Sequence, residues 1–170
     1  MPARRLYVLR HGKSSWDDPA LADWERPLSG RGRRACKLIA AHLREQRVEP
    51  ATVIVSPALR TRQTYDRISR GLPEGTPTWT EPRLYGSDAG TLLEVVQELP
   101  DEFCSALLIG HNPAVQSLGL MLAGDGAELP RLRRKLPTGS LLTIGFAGPW
   151  RALRPGAAEL ESMVRPKQLG

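Results

Sequence analysis

Leu6, Tyr7, Val8 and Leu9 form an unbroken apolar run that stops at Arg10-His11-Gly12. A strand with one wet face alternates apolar and polar residues. An unbroken run instead marks a strand buried on both faces, as in a parallel sheet covered by helices. Thr52-Val-Ile-Val-Ser56 and Ser105-Ala-Leu-Leu-Ile109 have the same character. Parallel strands need long crossover connections, and the intervening stretches supply helical ones. Ala35, Leu38, Ile39 and Leu43 recur at helical spacing behind Ser29-Gly-Arg-Gly32. Leu92, Leu93, Val95, Val96 and Leu99 do the same ahead of Pro100, with Asp88 or the Thr91–Glu94 pair as cap. This alternation predicts an α/β fold, a three-layer α/β/α sandwich around a mostly parallel central sheet, in one domain spanning residues 1–170.

The remaining segments carry weaker signals. Thr78-Trp-Thr80 reads as a short strand, and residues 125–139 as irregular with one helical turn. Ser140–Ile144 reads as a strand that turns at Gly148-Pro149 and pairs antiparallel with Trp150–Leu153. The polar residues beyond are expected to drape over the surface.

Three strand ends carry the chemistry. The first is Arg10-His11-Gly12, the second Ser56-Pro57 followed by Arg60, the third Gly110-His111-Asn112-Pro113. Parallel strands bring such ends to one edge of the sheet, where open α/β sheets bind their ligands. Ser56 and Asn112 suit helix N-caps, and Pro57 and Pro113 suit first helical positions. Helix N-termini favour anions through free amides and the dipole. Arg10, Arg60, His11 and His111 together make an anion pocket suited to phosphate. Gly12 is expected to supply permissive backbone angles and room for a ligand. Thr64 stands one helical turn past Arg60. Each motif alone is ordinary. Their joint occurrence, in order and each behind an apolar strand, points to a site, and two of the 3 histidines fall within it. His42, beside an apolar helix face, is read as structural or surface. There is no Walker loop, and no carboxylate cluster that would hold a metal. The loop from Lys13 to Leu28 is long for a compact domain, and such loops are often functional.

Charge narrows the partners. The net charge is +6, from 24 Lys and Arg against 18 Asp and Glu. The tightest cluster, Arg131, Arg133, Arg134 and Lys135, reads as a solvated helix or loop face. A nucleic-acid patch would be denser and interleaved with aromatics, so no nucleic-acid partner is expected, although a basic surface could steer a phosphorylated one. Cys36 and Cys104 lack metal-like spacing and are expected to be buried, reduced thiols. No apolar run is long enough to span a bilayer, and the first strand begins too early to leave room for a signal peptide. The expectation is a soluble, cytoplasmic monomer without a membrane partner.

On these motifs the chain resembles the histidine phosphatase superfamily, also called phosphoglycerate mutase-like, and within it the small phosphohistidine phosphatases of the SixA type. The resemblance runs through Arg10-His11-Gly12, Lys13-Ser-Ser-Trp16 and Arg26-Pro-Leu-Ser-Gly-Arg-Gly32. It continues through Ser56-Pro-Ala-Leu-Arg60-Thr-Arg-Gln-Thr64, Leu84-Tyr85 and Gly110-His111-Asn-Pro113. It implies a phosphoglycerate mutase-like fold, His11 as nucleophile, and Arg10, Arg60 and His111 as holders of the phosphoryl oxygens. It also implies Gly12 and Arg26 in the substrate site, no metal or organic cofactor, and a phosphorylated protein or small phosphorylated molecule as substrate. Chemistry then asks for a neutral His11, kept so by Arg10 and Arg60, and for a His111 protonated once phosphate is bound. Many members of the superfamily carry a glutamate as proton donor where this chain has Tyr85-Gly86, and the SixA-type subgroup also lacks it. Glu81 and Asp88 are nearby. Three alternatives stay open: a broader phosphomonoesterase using Asp88 or Glu81 as acid, a non-catalytic phosphate-binding module, and a nucleic-acid binder using the Arg131–Lys135 cluster.

Overall fold

The computed structural model describes residues 2–170. Seven strands form one sheet: β1 (Ala3–Arg10), β2 (Val53–Val55), β3 (Thr78–Thr80), β4 (Ser105–Gly110), β5 (Ala123–Asp125), β6 (Leu141–Ala147) and β7 (Ala158–Val164). Their order is β3-β2-β4-β1-β6-β7-β5. The pairs β1–β4, β2–β4, β2–β3 and β5–β7 are parallel, and β6 runs antiparallel to both β1 and β7.

Five helices cover the two faces: α1 (Gly30–Glu45), α2 (Leu59–Ile68), α3 (Ala89–Gln97), α4 (Ala114–Leu122) and α5 (Leu129–Arg134). The twofold period of each strand divides the core. Tyr7, Leu9, Val53, Val55, Leu107 and Ile109 pack on Cys36, Ile39 and Leu43 of α1 and Ile68 of α2. Leu6, Val8, Ile54, Ala106 and Leu108 pack on α3, α4 and α5 through Leu92, Val96, Val115, Leu118 and Leu132. Both faces of the central strands are therefore dry, which is why their sequences do not alternate. Each such Leu, Ile or Val contributes about 1.5–3 kcal/mol by leaving water.

Register places the strand ends side by side. Arg10 lies opposite Gly110, and Val55 opposite Ile109. The next amides continue the ladder for one step: His11 donates to Gly110 O and Ser56 to Ile109 O, both at 3.1 Å. His11, Ser56 and His111 thus leave the sheet at one edge.

Several expectations change. Trp150–Ala152 is a 3-10 turn, not a strand. The buried Trp150 ring packs on Phe146 at 5.1 Å and donates its indole N–H to Phe103 O at 2.8 Å. The second antiparallel partner of β6, beside β1, is β7, in the stretch expected to drape over the surface. Its alternation, with Ala158 and Leu160 inward and Glu159 and Glu161 away from the core, shifts by one residue at a bulge before Met163 turns inward, and is that of a strand with one wet face. α2 starts at Leu59 behind Ala58, not at Pro57 behind Ser56. α4 starts at Ala114, one residue past Pro113. Asp88, not Thr91, caps α3, accepting from Thr91 N at 2.9 Å. Cys36 is buried as expected, but Cys104 is exposed. Arg131, Arg133 and Arg134 sit in the last turn of α5, where cations suit the helix dipole. Among the described residues, no helix is long and apolar enough to cross a membrane.

Candidate active site

The site is built where β1, β2 and β4 end. His11 follows β1 and is buried at 7 % exposure. Its Nδ1 lies 2.6 Å from Gly12 O, so Nδ1 carries the proton and donates to that carbonyl. This leaves the lone pair on Nε2. Burial is the main reason its pKa falls to about 3, and the charges of His111, Arg60 and Arg10 push the same way. His11 is a neutral imidazole with a defined basic nitrogen.

Gly12 holds that arrangement by its size. It is not among the glycines with positive φ, contrary to the expectation of special backbone angles. A Cβ there would stand 3.1 Å from Gly32 O, 3.2 Å from Cys36 Sγ and 3.2 Å from Leu28 Cδ2. The turn after β1 is pressed against α1, and only glycine fits without displacing it. Gly12 N donates to Thr64 Oγ1 at 3.0 Å, and Thr64 donates onward to Arg60 O at 2.7 Å. One hydroxyl thereby ties the turn behind His11 to the helix that carries Arg60.

His111 follows β4, and its ring lies 5.2 Å from that of His11. Its Nε2 is 2.6 Å from Ser56 Oγ. The Ser56 hydroxyl is thus engaged across the site, and Ser56 stands three residues ahead of α2. Nδ1 of His111 is buried with no protein partner, leaving it free for a ligand oxygen. Burial first, then Arg60 and Arg10, lower the His111 pKa to about 4 in the unliganded pocket. A bound dianion would oppose both cations and favour the protonated, donating form.

Arg10 donates Nη1 to Leu136 O at 2.7 Å, while its buried Nε has no protein partner. Arg60, in the first turn of α2, is buried at 8 % exposure. Its Nη1 donates to Asp23 O at 2.8 Å and its Nη2 to Asp23 Oδ2 at 3.0 Å. A guanidinium has five N–H groups, so donors remain on both arginines for an anion.

Asp23 escaped the sequence reading. It lies in a short 3-10 turn, Asp23–Glu25, within the long loop after β1. Beyond its two bonds with Arg60, it accepts from Tyr85 OH at 2.7 Å and from Arg26 Nη1 at 3.1 Å. The Tyr85 hydrogen bond and the arginines hold its carboxyl down at about 2. The Tyr85 ring in turn lies nearly perpendicular to that of His111, with centroids 5.5 Å apart. The length of the loop was the only sequence signal for this hub, because Asp23 and Arg60 meet across segments that no motif links.

Arg26 plays a different part from the others. Its three nitrogens donate to Ser15 O, Asp23 and Ser14 Oγ, and its guanidinium stacks on Trp16 at 3.2 Å. It orders the loop that delivers Asp23. The two nearby carboxylates considered as acids are engaged elsewhere: Asp88 caps α3, and Glu81 pairs with Arg83 at 2.8 Å. His42 is half-buried in the last turn of α1. Among the described residues, no group of three or more His, Cys, Asp or Glu side chains gathers as a metal site.

The geometry offers a neutral imidazole with a bare nitrogen, two arginines and a second imidazole, with buried nitrogens of Arg10 and His111 left unpartnered, which suits a tetrahedral anion. Comparison with known proteins agrees. The family model of the histidine phosphatase superfamily (branch 1) matches residues 6–119. An uncharacterized protein of Mycobacterium tuberculosis is 33 % identical over 163 residues, covering 94 % of this chain and 100 % of that one. The phosphohistidine phosphatase SixA of Escherichia coli is 34 % identical over 114 residues, covering 65 % and 69 % of the two chains. A solved structure of the protein histidine phosphatase SixA complexed with tungstate superposes with a TM-score of 0.80 at 27 % identity, covering 98 % of this chain and 99 % of that one.

Proposed function

As the chain belongs to the histidine phosphatase superfamily and is a histidine-nucleophile phosphatase, we propose that it hydrolyses phosphohistidine, in a protein or a related small phosphoramidate, through a covalent phosphate on His11. The observation that carries this reading is the state of His11: buried, neutral, with Nδ1–H fixed on Gly12 O and Nε2 bare. A nucleophile must present a lone pair, and this hydrogen bond selects the ring nitrogen that does.

Phosphoryl transfer asks for position and charge stabilisation more than for covalent chemistry. Arg10, Arg60 and His111 surround the place where the phosphoryl oxygens gather charge. Nε2 of His11 bonds to phosphorus as the bond to the leaving group breaks. Water then cleaves phospho-His11, releasing phosphate and restoring the imidazole.

The substrate class follows from the lack of a protonated acid: the Asp23 carboxyl, which is in the site, is held ionised by Tyr85 and the arginines. An alkyl phosphate releases an alkoxide, for which a general acid supplies about 100- to 10,000-fold. Tyr85 stands where an acid would serve, and its hydroxyl donates its hydrogen bond to Asp23. Asp88 and Glu81 are committed to a cap and an ion pair, which disfavours the broader phosphomonoesterase reading. A phosphorylated imidazole needs no enzyme acid, because its distal nitrogen takes a proton from solvent near neutral pH. The test is the ratio of kcat/KM for phosphohistidine over glycerol phosphate in one buffer. The expected ratio is at least about 100. A ratio near one would reveal a hidden acid and overturn the reading.

A further inference from the structure

Resting on the phosphohistidine reading above, we propose that a cationic groove beside the active site is a docking surface for the protein that bears the phosphohistidine, and that it takes an acidic face of that partner. The groove lies between the first turn of α1, the segment after α5 and the turn after β7.

The sheet puts this groove at the edge that holds the site. β1 ends at Arg10, β6 begins at Leu141 opposite Leu9, and β7 ends at Val164 opposite Leu141. The segments bearing Lys13, Lys135 and Arg165 therefore meet the sheet where His11 leaves it. Lys13 is two residues past His11, within roughly 7 Å along the chain. Lys135 and Pro137 flank Leu136, whose carbonyl receives Arg10 Nη1 at 2.7 Å. Gly139 N then donates to Arg10 O at 3.0 Å and to His11 O at 2.9 Å. The wall of the groove is thus hydrogen-bonded to the anion pocket.

Lys13, Arg31, Arg34, Arg165 and Lys167 line an open cleft of about 410 Å³, together with apolar Ala35, Leu38 and Pro166. Arg131, Arg134 and Lys135 extend it past Arg31 and Lys167. Among the described residues, no carboxylate lines either part. The rest of the surface is different. Arg5 pairs with Glu161, Arg83 with Glu81 and Glu98, and Arg151 with Asp101. In the groove only Arg131 has such a partner, Glu128 at 3.2 Å, among the described residues. Like charges gathered without counter-charges repel one another, and an acidic partner relieves that repulsion while it is steered in.

The lining also separates two kinds of polyanion. A single-stranded nucleic acid stacks its bases on aromatic rings, and among the described residues no Phe, Tyr or Trp lines the groove. An apolar floor inside a charged rim suits a protein instead, with an apolar side chain set among carboxylates.

The experiment compares kcat/KM for free phosphohistidine and for two phosphohistidine peptides of one length. One peptide has flanks of glutamates around a leucine, and in the other every glutamate is glutamine. A six-residue flank spans about 20 Å, enough to enter the groove. The parent is expected to prefer the acidic peptide by at least about 10-fold at low salt, the lower end of electrostatic steering. The preference should collapse at about 0.5 M salt. It should also collapse in the Arg134→Glu, Lys167→Glu double variant, whose free phosphohistidine rate stays parental. The Arg47→Glu, Arg154→Glu double variant makes the same change in net charge on exposed residues outside the groove, and should keep the preference.

Equal rates on the two peptides in the parent would overturn the docking surface and leave the phosphohistidine reading standing. An equal loss in both double variants would assign the preference to net charge and overturn it too. So would a DNA oligonucleotide that binds the parent, loses binding in the groove variant and finds no peptide preference beside it. Failure of the parent on all three phosphohistidine substrates, with an aryl phosphate still cleaved, would overturn the substrate reading itself, and the docking surface with it.

Discussion

Asp23 engages both terminal nitrogens of Arg60, Nη2 through its carboxylate at 3.0 Å and Nη1 through its carbonyl at 2.8 Å. The guanidinium plane is fixed by one residue of a loop lying 37 positions earlier in the chain. A buried arginine without a partner would be costly. Here the partner also orients the cation before any substrate arrives, which is how a charge stabiliser avoids reorganising during the reaction. The loop is part of the site.

Arg60→Ala is expected to lower kcat/KM on the order of 100-fold or more, the scale for removing a preorganised donor. Arg60→Lys is expected to recover little, because an ammonium cannot hold Asp23 through two nitrogens and face an anion with others. His111→Ala should fall in the same range. Competitive inhibition by vanadate reads out the pocket. Unchanged inhibition in Arg60→Ala would remove Arg60 from it.

His11→Ala is expected to abolish turnover while preserving the fold, since the side chain lies at a strand end and outside both hydrophobic clusters. Parent enzyme quenched during turnover of a labelled donor should carry acid-labile, base-stable phosphate on His11. Mass spectrometry of the quenched protein locates it. A variant retaining a tenth of parental turnover would refute His11 as nucleophile.

Gly12→Ala tests whether the turn is limited by space. Its methyl group would press on Gly32 O and Cys36 Sγ at just over 3 Å. Overpacking of this kind costs about 1–3 kcal/mol. The same shift would move Gly12 O away from Nδ1 of His11. A lower urea midpoint and a lower kcat are expected together. A variant with parental stability and rate would show that α1 yields easily.

Stability should fall as pH drops below the ordinary histidine range. His11 and His111 have folded pKa values of about 3 and 4, below the unfolded value of 6.5. Between those values the unfolded chain binds more protons than the folded one, so stability rises with pH. The contribution is complete above about pH 6.5 and is lost as pH falls through the folded values. Asp23, depressed from 3.8 to about 2, adds the same sign at lower pH. Urea midpoints at pH 7 and pH 4.5 measure the effect. The drop should shrink in the His11→Gln, His111→Gln double variant, and an equal drop there would assign it to other groups.

The apolar runs of β1, β2 and β4 by themselves dictated buried parallel strands. The residues that follow them placed Arg10, His11, Arg60 and His111 at one edge. That much is local, because burial on both faces shows in consecutive residues and a strand end shows in the residue that breaks the run. β7 was missed because alternation in a glutamate-bearing tail resembles a polar surface segment until β6 is present to pair with it. Ser56 reads as a helix cap, and only the approach of His111 shows that its hydroxyl is committed elsewhere. Gly12 reads as a backbone hinge, and only the packing of α1 against it shows that space is the constraint. Asp23 and Tyr85 are separated by 62 positions and meet through a loop whose path depends on what it packs against. Side-chain pairs of that kind have no period or spacing to announce them. They are decided when the long loop after β1 closes over Arg60 and buries Arg26.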